Sequence, residues 1–143
     1  MSFDVDALLD LWTRSRNDPT EAVAAFRQLY TDPVEVNGVP VTAEGLVQRA
    51  VALQHAFAEV HREVLQVCDA GATVAVAFRL RGRHVGPLGT SAGVLSPTGE
   101  QISLRIIDIL TLTDGRISSI TMVADELGAL APLHLAALVD RPA

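Results

Sequence analysis

The sequence contains no lysine, a single cysteine, and only one tryptophan and one tyrosine among its 143 residues. Without lysine there is no Schiff-base catalysis, no covalently held pyridoxal phosphate and no P-loop ammonium on a nucleotide phosphate. Any carbonyl chemistry must therefore run on acids and bases. The lone Cys68 excludes an intrachain disulfide framework and a thiolate metal cluster; it suits a reducing cytoplasm and is expected as a small core residue. Aromatic residues make up 4% of the chain, a thin lining for a flat polycyclic ligand. The eleven arginines are outnumbered by seventeen acidic residues, the net charge is −6, and no basic cluster forms, so neither a nucleic acid nor an anionic membrane is expected as a partner. The opening MSFDVDALLD has no signal-peptide pattern and no apolar run is long enough to cross a bilayer, which leads to the expectation of a soluble, cytoplasmic protein. His55 and His61 do not share a helix face and His134 is isolated, so no metal site is expected.

What is present is patterned. A hydrophobic content of 49% supports one compact domain over residues 1–143, with only 141–143 read as a loose tail. Val5, Leu8, Leu9 and Trp12 lie along one face of an opening helix. Asp18-Pro19-Thr20-Glu21 has the form of a helix start, with a second helix reaching about Tyr30 and an extended stretch at Val34 to Asn37. Thr42 can cap a third helix whose Leu46, Ala50, Leu53, Phe57 and Val60 share a face. From about His61 the period becomes two: Glu63 to Cys68, a turn at Asp69-Ala70-Gly71, then Val74, Val76, Phe78 and Leu80 alternating with Ala75, Ala77, Arg79 and Arg81. The glycine- and proline-rich segment from Gly86 to Gly99 reads as a long irregular loop and a candidate lid. A strand from Gln101 to Thr113, an Asp114-Gly115 turn, a strand from Arg116 to Ala124 and a helix from about Glu126 to Val139 complete the chain. This order predicts an α+β domain: a curved antiparallel sheet wrapped around N-terminal helices, with a C-terminal helix.

The strand from Gln101 to Thr113 carries the strongest chemical signal. Ile102, Leu104, Ile106, Asp108, Leu110 and Leu112 fall on one face, so a single carboxylate interrupts an apolar stripe. An isolated ionised carboxylate there is costly, and Asp108 needs a partner, a proton or a ligand cavity. Two readings stand: an ion pair with Arg79, Arg81 or Arg83, or an acid inside a pocket. The other face, Gln101, Ser103, Arg105, Ile107, Ile109 and Thr111, is a candidate homodimer surface.

The segments Arg81-Gly82-Arg83-His84-Val85-Gly86, Ser96-Pro97-Thr98-Gly99, Ile106-Ile107-Asp108-Ile109, Asp114-Gly115-Arg116-Ile117 and Asp125-Glu126-Leu127-Gly128, in that order, resemble the SnoaL-like polyketide cyclases of the nuclear-transport-factor-2-like (NTF2-like) superfamily, over about residues 5–135. The resemblance implies a helix-filled sheet cone, commonly a dimer, that closes the ring of a polyketide ester by intramolecular aldol addition without metal or cofactor. A pocket carboxylate moves the protons, and its matching position is Asp125. Many members carry a tryptophan four residues earlier, where this chain has Thr121. A smaller or more aliphatic hydrophobic ligand is the corresponding expectation.

With the resemblance, the expectation is Asp125 as general base and Asp108 or His84 as donor to the developing oxyanion. Asp125 has a structural alternative as N-cap of the last helix, and His84 as a histidine bonded to loop backbone. Trp12, Phe57, Ile106, Leu110, Thr121 and Met122 are the expected pocket wall. Ketosteroid isomerase on the same fold has an Ile-Asp dipeptide like Ile107-Asp108, yet its base would fall near Asn37, an amide that cannot accept the proton. Limonene-type epoxide hydrolases need an Arg and an Asp two apart, which Arg79-Leu80-Arg81 does not supply. The alternative of another class is a non-catalytic ligand-binding or dimerisation module.

Overall fold

The computed structural model describes residues 2–140; the tail expected over 141–143 lies outside them. Helix α1 (Val5–Thr13) begins where the Asp4 carboxylate accepts from the Ala7 backbone N–H at 3.0 Å. Helix α2 (Pro19–Leu29) begins at Asp18, whose side chain accepts from the Thr20 N–H, with Pro19 in the first turn. It runs directly into β1 (Tyr30–Val36), which turns through Asn37 and Gly38, both at positive φ, into β2 (Val39–Val41). Helix α3 (Ala43–Ala56) is capped by Thr42 Oγ1, which accepts from the Gly45 N–H at 3.1 Å.

Six strands form the main sheet in the order β2-β1-β8-β7-β4-β3, with β3 (Phe57–Asp69), β4 (Thr73–His84), β7 (Gln101–Thr113) and β8 (Arg116–Ala124) as an antiparallel meander. The expected strands from Gln101 to Thr113 and from Arg116 to Ala124 are present, joined at Asp114 and Gly115, both at positive φ. One pairing departs from the antiparallel expectation: β1 runs parallel to β8. The long connection between these two strands, through α3 and the meander, allows it. Helices α1, α2 and α3 pack against the inner face. There Leu8, Leu9, Phe26, Tyr30, Leu46, Val74, Val76 and Leu110 form the buried core, and Phe26 stacks on Tyr30 with ring centroids 5.6 Å apart.

Four other expectations need correction. Helix α3 ends at Ala56, and Phe57 and Val60 belong to β3. A β-bulge between Ala58 and His61, with Glu59 at φ 55°, inserts one extra residue. Positions three apart then face the same way, and a bulged strand imitates a helical spacing. The last helix is shorter than expected: α4 spans Glu126–Leu130 and gives way to a 3₁₀ turn over Ala131–Leu133. Pro132 has no N–H for the carbonyl of Gly128, and its ring clashes with a continued α-helix. Cys68 is exposed, because it pairs with Ala75 and so lies on the outer face of the edge strand β3. Finally, the segment from Gly86 to Gly99 is not wholly irregular, since β5 (Leu88–Thr90) and β6 (Gly93–Leu95) pair within it as a small hairpin. Among the described residues no helix is long and apolar enough to cross a membrane.

Candidate functional site

Helices α1 and α3 do not fill the inner face of the sheet completely. They leave a cavity of about 300 Å³ between themselves, β1, β4, β7, β8 and the β5 segment. Its wall is mostly aliphatic, including Leu8, Leu9, Leu46, Leu53, Leu80 and Ile120, with Trp12, Tyr30 and Phe78 as the aromatic part. Of the expected wall residues, Trp12, Ile106 and Met122 do line it. Leu110 is packed into the core beside it, Phe57 is buried in a separate cluster with Ala56, Ile102, Ala129 and Leu130, and Thr121 faces outward and is exposed.

Asp108 opens onto this cavity. Its cross-strand neighbours are Val76 on β4 and Met122 on β8, and Ile106 and Leu110 flank it on its own face. Oδ1 is buried and has no hydrogen-bond partner among the described residues. Burial accordingly pushes the carboxyl pKa up to about 6. The alternative of an ion pair with Arg79, Arg81 or Arg83 is overturned by strand parity. Those arginines alternate with Phe78 and Leu80 and lie on the outer face, where Arg79 and Arg81 meet Glu63 at 3.7 and 3.6 Å.

Tyr30 also lines the cavity and is 1% exposed. Its hydroxyl oxygen accepts from the Trp12 indole Nε1–H at 2.8 Å, so its own proton remains free to be donated. Burial raises its pKa well above the ordinary phenol value, the Trp12 bond opposes the rise, and the charge of Asp108 adds to it. The hydroxyl therefore stays protonated across the physiological range. Sequence reasoning missed Tyr30 by treating it as a helix end; the signal was a lone tyrosine one helical turn after Phe26, on the same face as the core.

Asp125 is placed elsewhere. It is the N-cap of α4, with Oδ1 accepting from the Gly128 N–H at 2.9 Å and Oδ2 from Arg105 at 3.0 Å on the outer side. The Gly128 bond, and then Arg105, hold its pKa below the ordinary carboxylate value. A Cβ at Gly128 would meet the Asp125 carboxyl, so a side chain there would displace the cap. Asp125 does not line the cavity, and the structure does not bring it together with Asp108.

His84 is fully buried, with its ring centroid 6.1 Å from that of Phe57. Its Nδ1 accepts from the Thr98 N–H at 3.3 Å and lies 3.0 Å from Thr98 Oγ1, while Nε2 is buried with no hydrogen-bond partner among the described residues. This contact ties two of the motif segments together at the base of the β5–β6 hairpin, away from the cavity wall. Arg49, Glu126, Leu88 and Gly89 are wall residues that the sequence patterns did not single out. Among the described residues, no group of three His, Cys, Asp or Glu side chains converges as a metal site requires.

The architecture has many relatives of low sequence identity. TsrD from Streptomyces laurentii superposes with a TM-score of 0.76 at 17% identity, covering 92% of each chain. A SnoaL-like polyketide cyclase from Agrobacterium tumefaciens str. C58 gives 0.71 at 15% identity, covering 91% of this chain and 93% of its own. IdmH from Streptomyces antibioticus gives 0.65 at 20% identity, covering 91% and 97%. At these identities the likeness establishes the NTF2-like cone fold and nothing finer. No curated protein matches the sequence. The family model of the SnoaL-like polyketide cyclases matches residues 5–133, nearly the whole chain, and the chain belongs to that family.

Proposed function

We propose that the cavity binds a small, hydrophobic, polyketide-like carbonyl compound and that Asp108 is the acid–base group acting on it, in a cofactor-independent aldol cyclisation. The observation that carries this reading is the buried, unpartnered Oδ1 of Asp108 in an otherwise aliphatic wall. With a pKa of about 6 the carboxyl is mostly ionised at neutral pH, yet basic enough to remove a proton next to a carbonyl. Tyr30, polarised by Trp12, supplies the neutral donor for the enolate oxygen as charge develops there. The enolate carbon then attacks the second carbonyl of the same molecule, and the proton held by Asp108 returns to the new alkoxide. Asp125 and His84 have supporting roles in this scheme: one caps α4 and the other fixes the hairpin base.

The dimer belongs to the same proposal. Ile107, Ile109 and Val123 are 51%, 43% and 66% exposed and adjacent across β7 and β8, a continuous apolar patch suited to a second copy of the chain. A binding-only module is the second reading, favoured by the engagement of Asp125 as a cap, which leaves one free carboxylate where two were expected.

A direct test uses a 1,5-diketone, following deuterium uptake next to its carbonyl by NMR together with formation of the ring-closed β-hydroxyketone. Wild-type protein is expected to accelerate both, and Asp108→Asn to lose at least about a hundredfold. Exchange that is equally fast with Asp108→Asn would remove Asp108 from the mechanism, and no acceleration by the wild type would favour the binding module.

A further inference from the structure

Three charged side chains line the cavity: Asp108, Glu126 and Arg49. Two of them have an assignment. Asp108 is the inner group discussed above, and Glu126 is tied to the β5–β6 hairpin, accepting from the Ser91 N–H at 2.9 Å and the Ser91 hydroxyl at 2.7 Å. Arg49 has none. Arg14, Arg27, Arg62, Arg79, Arg81 and Arg105 each meet a carboxylate within 4 Å; among the described residues Arg16, Arg49 and Arg83 have neither a carboxylate nor a side-chain hydrogen-bond partner, and of these Arg49 alone lines the cavity.

Its position on α3 is as telling as its lack of a partner. Leu46, Arg49 and Leu53 stand at helical spacing on the side of α3 that faces the cavity, so a guanidinium replaces a hydrophobe in the wall. Arg49 is nevertheless exposed, and it also borders the outer groove formed with Val39, Val41 and Thr42. It therefore stands where the wall meets solvent. The cavity is chemically polarised: an unpartnered carboxyl oxygen among buried strands, an aliphatic middle, and an unpaired cation at the mouth.

We infer that the ligand is a free carboxylic acid, with an apolar body inside the cone and its carboxylate on the Arg49 guanidinium at the mouth. This inference rests on the ligand-binding reading of the cavity and narrows its substrate class to acids over the corresponding esters. A planar, permanently charged fork matches a carboxylate with two parallel hydrogen bonds and has no comparable contact with an ester. Fastening the carboxylate at the mouth also sets the depth of the chain behind it, and hence which carbon reaches Asp108.

The lone tryptophan, Trp12, lies in the cavity wall and reports occupancy by its fluorescence. The experiment titrates octanoate and methyl octanoate into wild-type protein, Arg49→Gln and Arg49→Lys. Wild type is expected to bind octanoate about tenfold more tightly than the ester. Arg49→Gln should weaken octanoate to the level of the ester and leave the ester unchanged, and Arg49→Lys should recover part of the preference. If the ester binds and Arg49→Gln leaves the ratio between the two probes untouched, the acid assignment is wrong while the cavity reading stands. If neither probe alters Trp12 emission in any variant, the ligand-binding reading fails and the inference falls with it.

Discussion

Asp108 and Asp125 are aspartates of one chain that stand on opposite sides of the same sheet. Asp108 faces inward between Val76 and Met122, with one oxygen buried and unpartnered, and its pKa rises. Asp125 faces outward past the end of β8, held by a backbone N–H and a guanidinium, and its pKa falls. On the proposed reading, family position and chemical role separate. The carboxylate in the motif at the end of the last strand is the better solvated and better bonded of the two, and the one in the apolar stripe is poised to exchange a proton.

The sharpest way to break this contrast is catalytic. In the diketone assay Asp108→Asn should lose at least about a hundredfold, whereas Asp125→Asn should stay within a few-fold of wild type. Equal losses would mean that the two carboxyls work as a unit. The rate should also rise with pH through about 6 and then level off, because Asp108 must be ionised to act as base.

Stability provides the second contrast, with opposite signs. The folded-state pKa of Asp108 is raised, so its protonated form favours folding; that contribution is full below the unfolded pKa of 3.8 and is lost as pH rises through about 6. Asp108→Asn is therefore expected to be more stable than wild type at neutral pH by roughly 1–3 kcal/mol, with the gap closing toward pH 4, as urea unfolding across that range would show. Asp125 has a depressed pKa. Its contribution is present above the unfolded pKa and is lost as pH falls through the lower folded value.

The outer face offers a third test. Ile107→Glu should convert a dimer to monomer in sedimentation analysis without affecting Trp12 emission, since Ile107 points away from the cavity. A wild-type monomer would remove the dimer from the proposal. The smallest expected effect is that of Asp125→Ala, a loss of about 2–4 °C in Tm from an uncapped α4.

Much of this was legible in the sequence because local rules and the global fold agreed. The caps at Asp18 and Thr42, the Asp114-Gly115 turn and the alternation from Gln101 to Thr113 each have a short-range cause. The errors have short-range causes too. A bulge at Glu59 made β3 look helical through Val60, and a two-residue period alone could not reveal that Cys68 falls on the outer face of the sheet. The site was half legible. Asp108 stood out because a charge broke a strict period, and Trp12, Ile106 and Met122 followed from the same faces. Tyr30 and Arg49 did not, because their place in the cavity wall depends on how β1 and α3 converge over β7, a tertiary fact. Asp125 was ambiguous for a further reason: a cap and a pocket base occupy the same place in a sequence and differ only in rotamer.

The most direct test of the central claim is a carbon-13 NMR titration of the two aspartate carboxyls in the folded protein. Asp108 should titrate at about 6 and Asp125 below the ordinary carboxylate value. An Asp108 that titrates at or below the ordinary value would mean that its carboxyl is solvated or paired, and it would contradict the assignment of Asp108 as the acid–base group of the cavity.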